Sequence, residues 1–325
     1  MPDCPSASTQ AKPPAPGRSA PAARGRQATL DGFAVGLLLT MCILLAVGQV
    51  AIKIANEGIS PLLQAGLRSG AAALVLGLIA RWRGVALFAR DGTFWPGLLT
   101  SILFAAEFAL LYPGLQLTTA AHGVILLYTS PFVVAAGAHF LIPGDRLSAA
   151  KLGGLLLAFA GVALVVLGRG GSAGSAAVDG PSLAGDLMCL GAAFAWGGLT
   201  LTIRASSLKT VTPERVTFMQ LLYSTPMLLL LSVLVGEPGL THPTALHWSA
   251  FAFTVVFVAI FVFTMTNWLY LLYPATRVMA FLLLTPVFGV FAGHFILGEA
   301  LSVNLLGGLV LVVCGLWLVN RPPAR

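Results

Sequence analysis

The chain has 325 residues, of which 58% are hydrophobic and only 9% charged, whereas an ordinary soluble domain is roughly 25% charged. So few charges cannot clothe a globular surface, which excludes an ordinary water-soluble enzyme or binding domain and leaves lipid as the surrounding medium. The mean hydropathy of +0.92 points the same way.

Residues 1–30 form a tail, of which 1–27 are rich in Pro, Ala, Ser and Arg, lack apolar periodicity and are expected to be disordered. The apolar stretch that follows is too long for the core of a cleaved signal peptide. A spanning helix needs about 20 mostly apolar residues. Ten such spans follow in order: 32–53, 61–81, 95–116, 120–141, 150–168, 184–203, 216–235, 248–271, 276–297 and 302–320. Turns such as Tyr112-Pro113-Gly114 and Pro143-Gly144-Asp145 punctuate them. The linker 169–183 is Gly- and Ser-rich, a flexible tether between two halves, and 321–325 close the chain. The cysteines Cys4, Cys42, Cys189 and Cys314 have neither metal-ligand nor redox spacing and read as small core or tail residues.

With the tail, the C-terminus and every second loop placed on one side, that side holds Lys12, Arg18, Arg24, Arg26, Arg81, Arg83, Arg90, Arg146, Lys151, Arg204, Lys209, Arg215, Arg277, Arg321 and Arg325. The other side holds only Lys53 and Arg169, and Arg68 lies inside a span. A missed or invented span would scramble this separation, so it supports the span count and predicts both termini in the cytoplasm. It also turns the net charge of +7 into a topology signal rather than a sign of nucleic acid.

The two halves end alike. Pro131, His139 and Phe140 align with Pro286, His294 and Phe295. After a one-residue offset, Asp145 aligns with Glu299, Gly153-Gly154 with Gly307-Gly308, and Gly161 with Gly315. Earlier, Pro61 matches Pro213 and Lys53 matches Arg204. Shared Pro, His and paired Gly in one register indicate a duplication, with repeats at 31–168 and 184–320. Five spans per repeat is an odd number, so the second repeat runs inverted. Inverted repeats are a transporter architecture with the binding site between the halves.

These residues resemble the drug/metabolite transporter (DMT) superfamily, and within it the EamA-type transporters, over about 30–320. The resemblance rests on Pro131, Gly144-Asp145-Arg146-Leu147-Ser148, Gly153-Gly154 and Gly161. The second copy is Pro286, Gly298-Glu299-Ala300-Leu301-Ser302, Gly307-Gly308 and Gly315. Arg68 within GLRSGAAALVL also fits. The second half has Gln220 near the place of Arg68, and Pro143 is an extra residue in the first loop. The resemblance implies an all-α, ten-helix secondary transporter in a bacterial cytoplasmic membrane. It would export or take up a small metabolite, often an amino acid or related compound, with export the favoured direction; Glu107 adds protons as a candidate partner, and the paired glycines a second copy of the chain.

Among candidate site residues, Glu107 is the one acid in the middle of a span. Burying it costs roughly 2.5–3.5 kcal/mol on insertion scales, so it faces the bundle interior. It reads either as a proton-coupling group or partner of a cationic substrate, or as a structural carboxyl paired with Arg68. Gln49 and Asn267 are buried amides that need partners. Tyr128, Trp196 and Trp268 offer an apolar body with one hydrogen-bonding tip, against the bland reading of interface anchors. His122, near the outer start of the fourth span, is a further cavity candidate. Arg68 reads as structural. Lys53 and Arg204 read as snorkelling to headgroups, and His139 and His294 as caps of backbone carbonyls. Pro131 and Pro286 are expected to kink their helices, while Gly153 and Gly307 allow close helix approach. The sequence contains no P-loop, HExxH, CxxC or GxSxG motif, so no catalytic residue, metal or cofactor is expected. A lipid-acting enzyme would need a cluster of ionisable residues at interfacial depth, which is lacking. A non-transporting scaffold or assembly subunit is the alternative, and a sealed interior with Glu107 tied to Arg68 would mark it.

Overall fold

The computed structural model describes residues 31–85, 87–88, 92–142, 149–167, 182–273, 278 and 281–320. The expected tail 1–30, the loop carrying Asp145 and Arg146, most of the linker 169–183 and the C-terminal residues 321–325 lie outside the described residues.

The described residues are helical, and their helices start where chemistry supplies a cap. The first, α1 (Gly32–Asn56), begins at Asp31, whose carboxylate accepts from the Ala34 N–H at 2.8 Å. Next, α2 (Pro61–Trp82) starts on a proline, which lacks the N–H that would be orphaned there. After α3 (Phe94–Leu117), the chain forms α4 (Ala120–Leu127), capped by Thr119, and α5 (Ser130–Leu141). Then come α6 (Ala149–Leu167) and α7 (Leu183–Ala205), the latter capped by Ser182. A short 3₁₀ turn leads into α8 (Pro213–Val235), again proline-started. Three consecutive segments follow: α9 (Ala245–Phe253), a π-helical stretch (Thr254–Val262) and α10 (Phe263–Leu272). The last helices are α11 (Thr285–Leu297) and α12 (Val303–Asn320). Gly236 and Gly298 close α8 and α11 with left-handed backbone, φ 74° and 69°. No strand occurs among the described residues; Ile59 and Leu240 make one isolated antiparallel bridge.

Seven helical stretches are long and apolar enough to cross a membrane, with α4 and α5 forming one of them, and three shorter apolar helices lie at 152–167, 285–297 and 303–318. Large apolar side chains face outward, among them Phe33, Trp95, Phe159, Phe295 and Val303. The interior instead holds buried Gln64, Arg68, Glu107, Asp186 and Arg215. This inside-out polarity is what a lipid surround selects, since lipid supplies no hydrogen-bond partner.

The fourth span does not merely kink at Pro131. Its helix stops at Leu127 and restarts at Ser130, with Pro131 in the first turn of the new helix, where its missing N–H costs nothing. Pro286 occupies the same place in α11. A carbonyl at each break also accepts from a side chain: the Thr129 hydroxyl donates to Leu126 O at 2.6 Å, and the Cys42 thiol, from α1, donates to Phe281 O at 3.3 Å.

Packing pairs elements distant in sequence. The α6 and α12 helices lie along one another, as do α3 with α7 and α2 with α8. In addition, α1 contacts α9, the π segment and α11; α4 contacts α7 and α11; and α5 contacts α7. The α6–α12 seam is built on glycine. A Cβ on Gly161 would meet Gly308 O at 2.8 Å, and a Cβ on Gly315 would meet Gly154 O at 2.6 Å. Gly153 and Gly307 are likewise reciprocal, facing Leu318 and Leu164 at 3.3 and 3.0 Å.

Substituting Gly315→Val therefore pushes the backbone of α6 away, at a cost of about 1–3 kcal/mol. The expected outcome is a lower melting temperature and a smaller monodisperse fraction on size-exclusion chromatography. Gly36→Ala, whose added Cβ meets nothing within 4 Å, serves as the neutral control; equal behaviour of the two variants would remove the seam from the account.

Candidate functional site

Two acids from the second half of the chain cap helices of the first. The Glu237 carboxylate, beyond the end of α8, accepts from the Leu62 and Leu63 N–H groups at 2.9 and 3.0 Å, and from the Ser232 hydroxyl at 2.6 Å. The Glu299 carboxylate accepts from the Ala120 and Ala121 N–H groups at 2.6 and 2.9 Å. Each satisfies orphan donors at the positive end of a helix dipole. Lys53 joins the second clasp: its ammonium donates to Thr118 O at 2.7 Å and lies 3.7 Å from Glu299. It turns inward as a tie rather than out to the headgroups.

The ends of α2 and α3 are thereby held at fixed depth, and α2 and α3 carry most of the polar cluster between them. Gln64 and Arg68 sit four residues apart on α2 and so share a face. Arg68 is about 10 Å below the start of α2, and Glu107 about 15 Å below the end of α3, at 1.5 Å per residue. The Arg68 guanidinium stands 4.9 Å over the Phe108 ring, a cation–π contact. Its charge reaches both Glu107 and Tyr112, yet no Arg68–Glu107 ion pair within 4 Å forms among the described residues. Arg68 and Glu107 are each 7% exposed, and Gln64 and Tyr112 are fully buried. Even so, Arg68 Nε and Nη1, both amide atoms of Gln64, the Tyr112 hydroxyl and the Ser69 hydroxyl make no well-formed hydrogen bond, although the Tyr112 hydroxyl lies beside the Arg68 guanidinium. On α1, Gln49 Oε1 is also unpartnered; it lies two turns from Asn56, whose amide donates to Tyr112 O at 2.8 Å. Native interiors leave few buried polar atoms unsatisfied, and six of these atoms lie on α2 and α3.

The other sequence candidates lie elsewhere. His122 belongs to a buried network instead of a cavity: its Nδ1 is 3.2 Å from both oxygens of Asp186, and the Thr118 hydroxyl donates to the same carboxyl at 2.5 Å. Tyr128 is buried at the break between α4 and α5, edge-on to Trp196 with centroids 5.6 Å apart. Trp268 faces outward against Phe33. Asn267 lies on α10, and its side chain is outside the described residues. The His294 ring nitrogen contacts Glu299 O at 2.8 Å. A cleft of about 440 Å³ opens away from the cluster, between Val85, Thr93 and the 207–212 turn, with Arg215 in its wall. That arginine is engaged, donating to Leu87 O at 3.2 Å and Thr93 Oγ1 at 2.9 Å.

Sequence reasoning did not single out Gln64, Tyr112 or Asp186. The i, i+4 spacing of Gln64 and Arg68 was a readable signal; the burial of Asp186 in the first turn of its helix was not. No group of three or more potential metal ligands occurs among the described residues.

The profile of the EamA-like transporter family matches residues 32–167 and 183–321. The chain belongs to this family. It is 27% identical over 303 residues to a Salmonella typhimurium protein named "probable amino-acid metabolite efflux pump", covering 89% of this chain and 94% of that one. It is also 25% identical over 271 residues to the transporter YoaV of Bacillus subtilis, covering 83% and 90% respectively. A crystal structure of a protein 20% identical in sequence superposes with a TM-score of 0.61, covering 89% of this chain and 96% of that one, and shares the fold. This EamA-family chain is a multi-pass membrane protein and a transporter of small molecules.

Because His122 serves the buried Asp186 carboxyl, His122→Ala is expected to destabilise the protein by about 1–3 kcal/mol. The melting temperature should fall while transport per folded molecule stays unchanged. Loss of transport at unchanged melting temperature would return His122 to the substrate path.

Proposed function

We propose that this family member exports a small metabolite, an amino acid or related compound, across a bacterial cytoplasmic membrane by alternating access of two inverted five-helix repeats. The observation that carries the reading is the set of buried polar side chains Gln64, Arg68 and Tyr112 on α2 and α3, with unpartnered atoms, in the same helix pair as Glu107. A scaffold has no reason to keep such atoms unsatisfied, and Arg68 does not neutralise Glu107 by direct pairing.

In this reading the three shorter apolar helices also cross, giving ten spans. Exchanging the first five spans with the second five returns the main contacts between the halves. The α2–α8, α4–α11 and α6–α12 contacts each return to themselves, and the contacts of α3 with α7 and α8 become those of the π-containing span with α1 and α2. The Gly161–Gly308 approach becomes the Gly315–Gly154 approach. Such exchange supports a pseudo-twofold axis in the membrane plane. The breaks at Leu127–Ser130 and before Thr285 occur at corresponding places, where discontinuous helices give moving halves a natural hinge.

Glu107 is the coupling group: a buried carboxyl can hold a proton in one state and meet a substrate in the other. The relative named as an amino-acid metabolite efflux pump supports the substrate class and the outward direction. The basic residues gathered on one side of the ten spans support cytoplasmic termini.

Cells expressing wild type should release a specific compound into the medium that cells expressing Glu107→Gln at matched membrane levels do not. Equal release by both would make Glu107 structural, and an unchanged medium from both would sink the export reading. A C-terminal fusion to a reporter active only outside the cytoplasm should stay silent, whereas the same reporter inserted after Gly171 should be active. The opposite pattern would overturn the orientation.

A further inference from the structure

The short helices α4 and α11 lie against one another, and each meets a helix break: α4 ends at Leu127 and α11 begins at Thr285. Glycine lets them approach. A Cβ on Gly289 would meet the Val124 side chain at 2.5 Å, and one on Gly293 would come within 3.5 Å of the Ala121 nitrogen. These pairs run in opposite order along the two helices, so the ends away from the breaks lie together. One carboxylate joins those ends. Glu299 follows Gly298, whose left-handed backbone closes α11, and its N–H donates to Gly293 O at 3.2 Å while His294 holds its carbonyl at 2.8 Å. From there it accepts from the Ala120 and Ala121 N–H groups at 2.6 and 2.9 Å, with Lys53 of α1 at 3.7 Å. Among the described residues, these two Glu299 bonds are the polar contacts of α4 with α1 or α11. The opposite side of the α3–α4 corner is bonded independently, through Thr118 and His122 to Asp186 on α7.

We propose that Lys53 and Glu299 form a latch that closes the transport path between α4 and the α1–α11 pair, and that α4 parts from α11 about its break when the latch releases. This rests on the transport reading above and assigns gate residues to it. A latch has to be strong when shut and cheap to open. Charge-assisted bonds from N–H groups at the positive end of a helix are strong where water is excluded. Water entering a parted latch replaces each bond and solvates both charges, so opening strands no buried ion. The corner stays with α7 through Asp186, which directs the parting to the α11 side. The Glu237 clasp makes the same pair of bonds to α2, but α2 runs unbroken from Pro61 to Trp82. It has no hinge to swing on and is a fixed tie.

The test uses the full-length protein in lipid nanodiscs, where a charged, water-soluble methanethiosulfonate reaches both faces and the orientation of the chain does not matter. Val124→Cys, at a fully buried position of α4 facing Gly289, is the reporter, and its modification is followed at that residue by mass spectrometry. With the latch intact, modification should be slow. Adding Lys53→Met or Glu299→Gln should speed it about tenfold or more, the shift expected from losing one charge-assisted hydrogen bond. Lys53→Arg, which keeps the charge, should leave it slow. Glu237→Gln should lower the melting temperature without speeding the reporter. Should Val124→Cys fail to fold, Val290→Cys, at a fully buried position of α11, reports the same parting from the other side. Unchanged rates in both Lys53→Met and Glu299→Gln, or equal acceleration by Glu237→Gln, would overturn the latch. Modification needs no transported compound, which separates the two readings. Acceleration by the latch variants in a protein that releases no metabolite leaves the latch standing and removes export, whereas efflux with an indifferent reporter does the reverse.

Discussion

A bilayer core supplies no hydrogen-bond partners, so each helix end and polar side chain inside it must be satisfied by the protein itself. The clasps of Glu237 on the start of α2 and Glu299 on the start of α4 answer that constraint. In each case the donors belong to the first half of the chain and the acceptor to the second. The same bonds that complete a helix end therefore bind the halves, and they set the depth at which Arg68 and Glu107 sit. With Lys53 and the Asp186–His122–Thr118 network, they concentrate inter-half polar contacts toward the ends of α1 and α3.

Apolar packing works to a different rule. Without a hydrophobic difference between lipid and helix surface, association depends on close fit, and α6 and α12 obtain it by bringing backbone to within van der Waals contact at Gly154, Gly161, Gly308 and Gly315. The seam is self-reciprocal. Beside it stand the interrupted helices, α4 with α5 and the segment leading to α11, where a proline opens a new helix.

Many buried polar groups are bonded: Asn56 donates to Tyr112 O, Ser101 to Gly97 O and Arg215 to Thr93. Unpartnered atoms are densest on α2 and α3, at Gln64, Arg68, Ser69 and Tyr112, with single ones on Gln49, Asn56, Gln220, Thr264 and Thr285. Arg68 and Glu107 lie buried in that region without an ion pair within 4 Å.

Much of this was legible in the sequence. Apolar run length located most helices within a few residues, because in a membrane it follows from solvent alone, but the turn read at Tyr112-Pro113-Gly114 lies inside α3, which runs on to Leu117. The duplicated Pro and Gly positions marked Pro131 and Pro286, which each open a helix, and the glycines of the α6–α12 seam, and Glu107 stood out as an acid where charge is expensive. Contact direction was not legible. Whether Lys53 reached headgroups or Glu299, whether His122 lined a cavity or held Asp186, whether Pro131 kinked a helix or began one, and whether Arg68 closed on Glu107 all depend on which faces of distant helices meet. The sequence by itself determined where the apolar helices lie and which residues are too polar to face lipid, since each is a local contest between side chain and solvent. Only the tertiary structure decided which of those residues satisfy one another, because hydrogen bonding across helices is a property of pairs that sequence separation does not encode.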